Sequence, residues 1–191
     1  SALVLRDLDI LAPMAGLNLA KAAISVTTLD RALARKMEPR AAAPSARLNA
    51  IRRLSEAGVP VCVMVAPVIP GLNDHEIEAI LEAAHAAGAR EAGYVVLRLP
   101  LEIKDLFQQW LDAHARNSAK RVMTLVRQMR GGRDYDAEWG VRMRGEGPYA
   151  KIIAQRFQKT VLRLGLSTLR LALDTSLFRK PVRAGGQQDL L

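Results

Sequence analysis

Hydroxyl groups at Ser25, Thr27 and Thr28, carboxylates at Asp30 and Glu38, and a guanidinium at Arg40 follow one another along a single stretch of this chain. Ser25 and Thr27, two apart on an extended strand, project the same way, and a pair of hydroxyls on one face suits contact with a ribose. Arg40 has the fork that pairs bidentately with a carboxylate. The competing reading is structural: Thr27, Thr28 and Asp30 cap a short helix beginning near Arg31, and Arg40 is a solvated arginine. A second candidate is Pro67-Val68-Ile69-Pro70-Gly71-Leu72-Asn73-Asp74. Here a strand stops at two prolines, and Gly71 removes a side chain where a flat ring could approach, so the loop can read a base through backbone hydrogen bonds and apolar contact. The third is Arg98, just before Leu99-Pro100, a contact for a substrate or carboxylate, or else half of an outward salt bridge. His75, His85 and His114 are too scattered for a zinc site, and Cys62, inside an apolar run, reads as a small buried residue. Glycine-rich dinucleotide, phosphate-loop and serine-elbow motifs do not occur.

The elements that must position these groups repeat across residues 1–105 as helix, glycine stop, short β-branched strand and polar loop. Leu8, Ile10, Leu11 and Met14 precede Gly16 and a strand over Ala22 to Val26. Ser45 is expected to cap a helix carrying Leu48, Ile51 and Leu54, which ends at Gly58 before a strand over Val61 to Ala66. Asn73 and Glu76 have capping-box spacing ahead of Ile77, Ile80, Leu81 and Ala84, with Gly88 as terminator and a strand over Tyr94 to Leu97. Strands alternating with helices predict an α/β fold with a parallel sheet, whose functional groups collect where the strands end. Three such units are too few to close a barrel, so the sheet should be open beside the first strand. Residues 106–165 read as a helical extension: helices over Leu106 to Leu111 and Val122 to Met129, a Gly131-Gly132 stop, and a third helix starting near Pro148. Residues 166–191 read as a tail, its last dozen residues disordered.

Composition narrows the class. One cysteine in 191 residues excludes a disulfide framework and fits a reducing cytoplasm. No uncharged apolar stretch of about 18 residues is present, so no membrane span is expected. Residues 1–105 carry 12 basic and 12 acidic side chains, and residues 106–191 carry 16 and 7, so the whole net charge of +9 lies in the C-terminal part. That part could attract nucleic acid, and neutralising Arg127, Arg130 and Arg133 is the corresponding test. The N-terminus, Ser1-Ala2-Leu3-Val4-Leu5, reads as the continuation of something upstream, and the chain is expected to be a fragment.

Several segments together resemble the C-terminal portion of radical S-adenosylmethionine proteins, most closely the group described as DNA repair photolyase or spore photoproduct lyase-like. They are Arg6-Asp7-x-Asp9, Ser25 to Asp30, Glu38-Pro39-Arg40, Val65 to Asp74, Leu97-Arg98-Leu99-Pro100 and Arg144-Gly145-Glu146-Gly147-Pro148-Tyr149. The resemblance implies a partial (β/α)6 barrel in which this chain supplies the fourth, fifth and sixth strands. It assigns Ser25, Thr27 and Arg40 to the ribose and methionine part of S-adenosylmethionine, and Ile69 and Gly71 to its adenine; Gly71→Val is then expected to weaken cofactor binding. It also implies a 4Fe-4S cluster held by three cysteines after the first strand. Those ligands are absent from this chain, so the whole protein is expected to be a lyase-like enzyme and these residues alone to be inactive. The alternatives are a non-catalytic nucleic-acid or sliding-clamp accessory protein and, disfavoured by the strand count, an aldolase-like enzyme. A clamp partner is suggested by the terminal Gln187-Gln188-Asp189-Leu190-Leu191.

Overall fold

The computed structural model describes residues 2–169 and 171–177; the terminal Gln-x-Asp-Leu-Leu segment and most of the expected disordered tail lie outside the described residues. A turn of tight helix over Ala2–Asp7 leads into α1 (Leu8–Gly16), and then come β1 (Ala22–Ser25), α2 (Arg31–Met37), α3 (Pro44–Glu56), β2 (Val61–Val68), α4 (Ile77–Ala86) and β3 (Glu91–Val96). Helices α5 (Ile103–His114), α6 (Arg116–Gln128), α7 (Val141–Arg144) and α8 (Gly147–Leu164) follow. The three strands form one parallel sheet in the order β1-β2-β3. This is the expected α/β architecture, consistent with part of a β/α barrel followed by a helical extension.

The sheet is buried on one face. Ala22, Ile24, Val61, Val63, Val65, Ala92, Tyr94 and Val96 point into a core completed by α3, α4 and α8. The alternate residues, Ala23, Ser25, Cys62, Met64, Ala66, Gly93 and Val95, lie on the other face and stay partly or fully exposed. The period-2 side-chain alternation of a strand thus separates a packing face from an open one. Gly93 lies on the open face by this alternation, and a Cβ there would stand 2.8 Å from Met64 Sδ.

A second apolar cluster, Ile69, Leu99, Leu111, Val122, Met123 and Val126, lies beyond the C-terminal ends of β2 and β3 and is closed by α5 and α6. Trp110 on α5 donates its indole N–H to the Lys36 carbonyl of α2 at 2.9 Å, which fixes α5 against the first βα unit. Helix α8 packs on β3, with the Phe157 and Tyr94 ring centroids 4.7 Å apart. Past α8, Ser167 bridges to Glu91 at the start of β3, and Asp174 N donates to Asn18 O before β1.

Local expectations shift in four places. Helix α3 begins at Pro44 with Ala43 at its N-cap and no side-chain cap, so Ser45 lies inside the first turn; proline at that first position has no N–H to satisfy. Strand β2 runs through the cis Ala66–Pro67 bond to Val68, with a register shift between Val65 and Val68, and β3 starts at Glu91, three residues before the expected Tyr94. Asn73 and Glu76 do not form a capping box, because both side chains are engaged elsewhere. No helix among the described residues is long and apolar enough to cross a membrane.

Candidate functional site

The C-terminal ends of the strands are tied together by side chains from the loops that follow them. Asn73, 3% exposed, accepts the Ile69 N–H at 2.6 Å and donates to the carbonyls of Thr27 at 2.8 Å and Pro67 at 3.0 Å, joining the ends of β1 and β2. Glu76 accepts the Thr28 hydroxyl and, at 2.7 Å, the Leu29 N–H. Asp30 does cap α2, accepting the N–H groups of Ala32 and Leu33. A separate chain of contacts runs along the end of β1. Arg47 on α3 donates to the Ser25 carbonyl at 3.0 Å, the Ala42 carbonyl at 2.9 Å and Glu38 Oε2 at 2.7 Å. The Thr27 hydroxyl sits 3.1 Å from the same Glu38 oxygen and 3.0 Å from the Ala66 carbonyl, two acceptors for its single proton.

Ser25 and Thr27 do not share a face as expected, because β1 ends at Ser25 and the extended alternation is lost before Thr27, which is buried. Ser25 is exposed on the open sheet face, and its hydroxyl makes no hydrogen bond to another described residue. Its neighbours across the sheet are Met64 and Gly93. Thr27, 4% exposed, is committed to the Glu38 and Ala66 contacts and borders a cleft of about 110 Å³ between α2 and α3 that also contains Arg31, Arg35 and Arg47. Arg40 is exposed and makes no ion pair among the described residues, and the neighbouring Glu38 is paired with Arg47. Ile69 is fully buried in the second cluster, its N–H held by Asn73 and its carbonyl accepting from Leu72 and Asn73. Gly71 has φ +74°, and a Cβ would meet Leu125 Cδ1 at 3.0 Å. Gly71→Val would therefore strain the backbone and press on the Leu125 side chain of α6, so that variant perturbs the loop itself as well as anything bound against it. The Arg6-Asp7 pair is an exposed contact between chain neighbours.

Two of the resembling segments meet in space. Asp74 accepts the Gly71 N–H on one carboxylate oxygen and the Tyr149 hydroxyl on the other, so the start of α8 is fastened to the loop after β2. Burial, then the hydrogen bond to Asp74 and its charge, push the Tyr149 phenol up to about 12. A phenol whose folded-state pKa lies above its unfolded value of about 10 keeps its proton longer in the fold, so its contribution is complete below pH 10 and disappears as pH rises to about 12. Denaturant unfolding measured across that window should fall more steeply for the wild-type chain than for Tyr149→Phe; equal slopes would show that the contact adds nothing.

Arg47, Glu76 and the Asp74–Tyr149 pair escape local reading. Arg47 lies inside a helix and Glu76 at helix-cap spacing, and their partners come from other elements. Among the described residues no group of three or more His, Cys, Asp or Glu side chains could hold a metal ion.

The chain is 34% identical over 111 residues to an uncharacterized protein of Mycobacterium tuberculosis, covering 57% of this chain and 33% of that protein. It is 40% identical over 70 residues to an uncharacterized protein of Acidianus two-tailed virus, covering 37% of this chain and 23% of that one. It therefore spans about a quarter to a third of the length of these curated relatives. No solved structure matches it. Residues 2–84, which contain β1, β2 and the Asn73 and Glu76 contacts that join their ends, match the family model of the Radical SAM superfamily.

Proposed function

We propose that this chain supplies the ribose, methionine and adenine side of an S-adenosylmethionine pocket in a radical enzyme of the lyase-like kind. The observation that carries this reading is the open sheet face beside cross-linked strand ends: Ser25 presents an unengaged hydroxyl there, next to Met64 on β2, with the small residues Ala23, Ala66 and Gly93 further along the same face. Ser25 would hold a ribose or methionine oxygen, and Thr27 and Asn73 would keep the surrounding backbone in place. Arg40 is exposed and able to reach a carboxylate, while Gly71 and the buried Ile69 would shape the adenine side through the loop backbone. S-adenosylmethionine held there would supply the radical chemistry of such an enzyme, and these residues would bind and orient it. The residues present do not fit the cluster itself: Cys62 is the only cysteine of the chain, and one thiolate cannot hold it.

The C-terminal charge excess supports a polyanionic substrate such as damaged nucleic acid. Arg127, Arg130 and Arg133, however, are not its contact face. Arg130 is 2% exposed, Arg127 is paired with Asp134 and Arg133 with Asp136. Arg116, Lys120 and Arg121 on α6 are exposed and make no ion pair among the described residues, and they would carry such contacts.

In the intact protein, Ser25→Ala should weaken S-adenosylmethionine binding by about tenfold, the effect of one lost hydrogen bond to a polar ligand, with cluster content retained. Calorimetric titration reads this directly. An affinity unchanged from wild type would remove Ser25, and with it the open face, from the pocket.

A further inference from the structure

At the C-terminal end of β3 two guanidinium groups lie within reach of each other's charge, and neither forms an ion pair among the described residues. Arg98 Nη2 donates to the Tyr135 hydroxyl oxygen at 3.1 Å, Nη1 stands 4.0 Å from Met143 Sδ, and Nε is buried with no hydrogen-bond partner. Arg130 spends its fork on main-chain carbonyls, Nη1 on Val141 at 2.7 Å and Nη2 on Leu97 at 3.1 Å. Burial chiefly lowers the Arg130 pKa; Asp136 raises it and the Arg98 cation lowers it again. Asp136 is already engaged by Arg133 at 3.0 Å and by the Glu138 N–H.

Leaving a cation desolvated without a counter-charge is costly, and a buried N–H without an acceptor adds to that cost. Tyr135, accepting from Arg98, still has its own proton to give. A guanidinium with a spare donor, a phenol with a spare proton and a second cation behind them make a complementary set for a doubly charged oxyanion. We infer that Arg98 and Tyr135, backed by Arg130, form a binding site for a phosphate group at the end of β3. The inference deepens the proposed function by giving the chemistry of a ligand bound near the same strand ends, but it does not depend on S-adenosylmethionine binding there.

Thermal unfolding of the intact chain tests it, comparing wild type with Arg98→Met in phosphate, acetate and chloride at equal ionic strength. Phosphate stabilises proteins generally, so the readout is the difference between the two chains. Phosphate at about tenfold its dissociation constant should raise the wild-type midpoint by about 2–4 °C more than that of Arg98→Met. A short single-stranded oligonucleotide that gives the same Arg98-dependent rise would identify the source as a polynucleotide backbone; a rise with inorganic phosphate alone would identify a small phosphorylated ligand. Without phosphate, Arg98→Met should unfold at or above the wild-type temperature, since an unpaired charge has been removed. Equal phosphate shifts in the two chains, an equal response to acetate, or a marked loss of stability in the variant without anions would each overturn the site. S-adenosylmethionine affinity is measured separately, so failure here leaves the cofactor reading standing.

Discussion

Asn73→Ala is expected to lower the stability of the chain by about 3–5 kcal/mol, because it orphans the Ile69 N–H and the carbonyls of Thr27 and Pro67 together in a region with little access to water. Neutral hydrogen bonds each contribute modestly, but a buried donor or acceptor left unmade incurs its desolvation cost in full. Asn73→Asp separates the two halves of the contact. A carboxylate still accepts from Ile69 but cannot donate to Thr27 or Pro67, and it places negative charge against two carbonyl oxygens, so it should be no better than alanine. Denaturant unfolding measures both as a shift in midpoint at unchanged slope. A loss below about 1 kcal/mol for Asn73→Ala would mean that the ends of β1 and β2 are held by packing alone.

This residue also marks where local reading stops. Asn73 and Glu76 have the spacing of a capping box, and nothing nearby in the sequence argues against one. Their side chains are captured instead by Thr27, Thr28 and Leu29, which lie 46 to 48 residues away and which folding brings alongside. Asp30, whose partners are two and three residues ahead, does act as the cap it resembles. The same distinction explains the strands. The helix–glycine–strand rhythm is visible because periodicity and glycine stops are local, as at Gly88, where φ is +105° and a Cβ would lie 2.4 Å from Ser55 Oγ. The edges of β3 are not local: Glu91, Ala92 and Gly93 have weak strand propensity and are extended because β2 pairs with them at Cys62, Val63 and Met64. The place of Ser25 on the face opposite the core follows from strand alternation, which is local. That Arg47 pairs with Glu38 depends on how α3 leans on β1, which the order of residues does not state.

Phe157→Ala is expected to destabilise the chain by about 3–5 kcal/mol, and what it does to the second cluster decides how the molecule is divided. The sequence divides at residue 106, where strands give way to helices. Yet Phe157, on the last helix, is 3% exposed and packs on Tyr94 of β3, and Ala150, Ile153 and Val161 share that core with the sheet. Between them in sequence lies the other cluster, where Leu111 is fully buried against α6 and against Ile69 from the β2 loop. A chain that leaves the main core at β3, builds a roof over the strand ends and returns through α8 has its two apolar clusters joined twice, at Ile69 and through Asp74–Tyr149. With the exposed Trp139 replaced by phenylalanine in every chain compared, Trp110 fluorescence reports on the roof, while far-ultraviolet circular dichroism reports on the whole chain. In Phe157→Ala both signals should move together to lower denaturant, and in Leu111→Ala, with an expected loss of about 2–5 kcal/mol, they should do the same. Were Trp110 to keep its wild-type midpoint in Phe157→Ala while the circular dichroism signal shifts, α5 and α6 would be a separately folding unit. The strand ends could then be uncovered without unfolding the sheet.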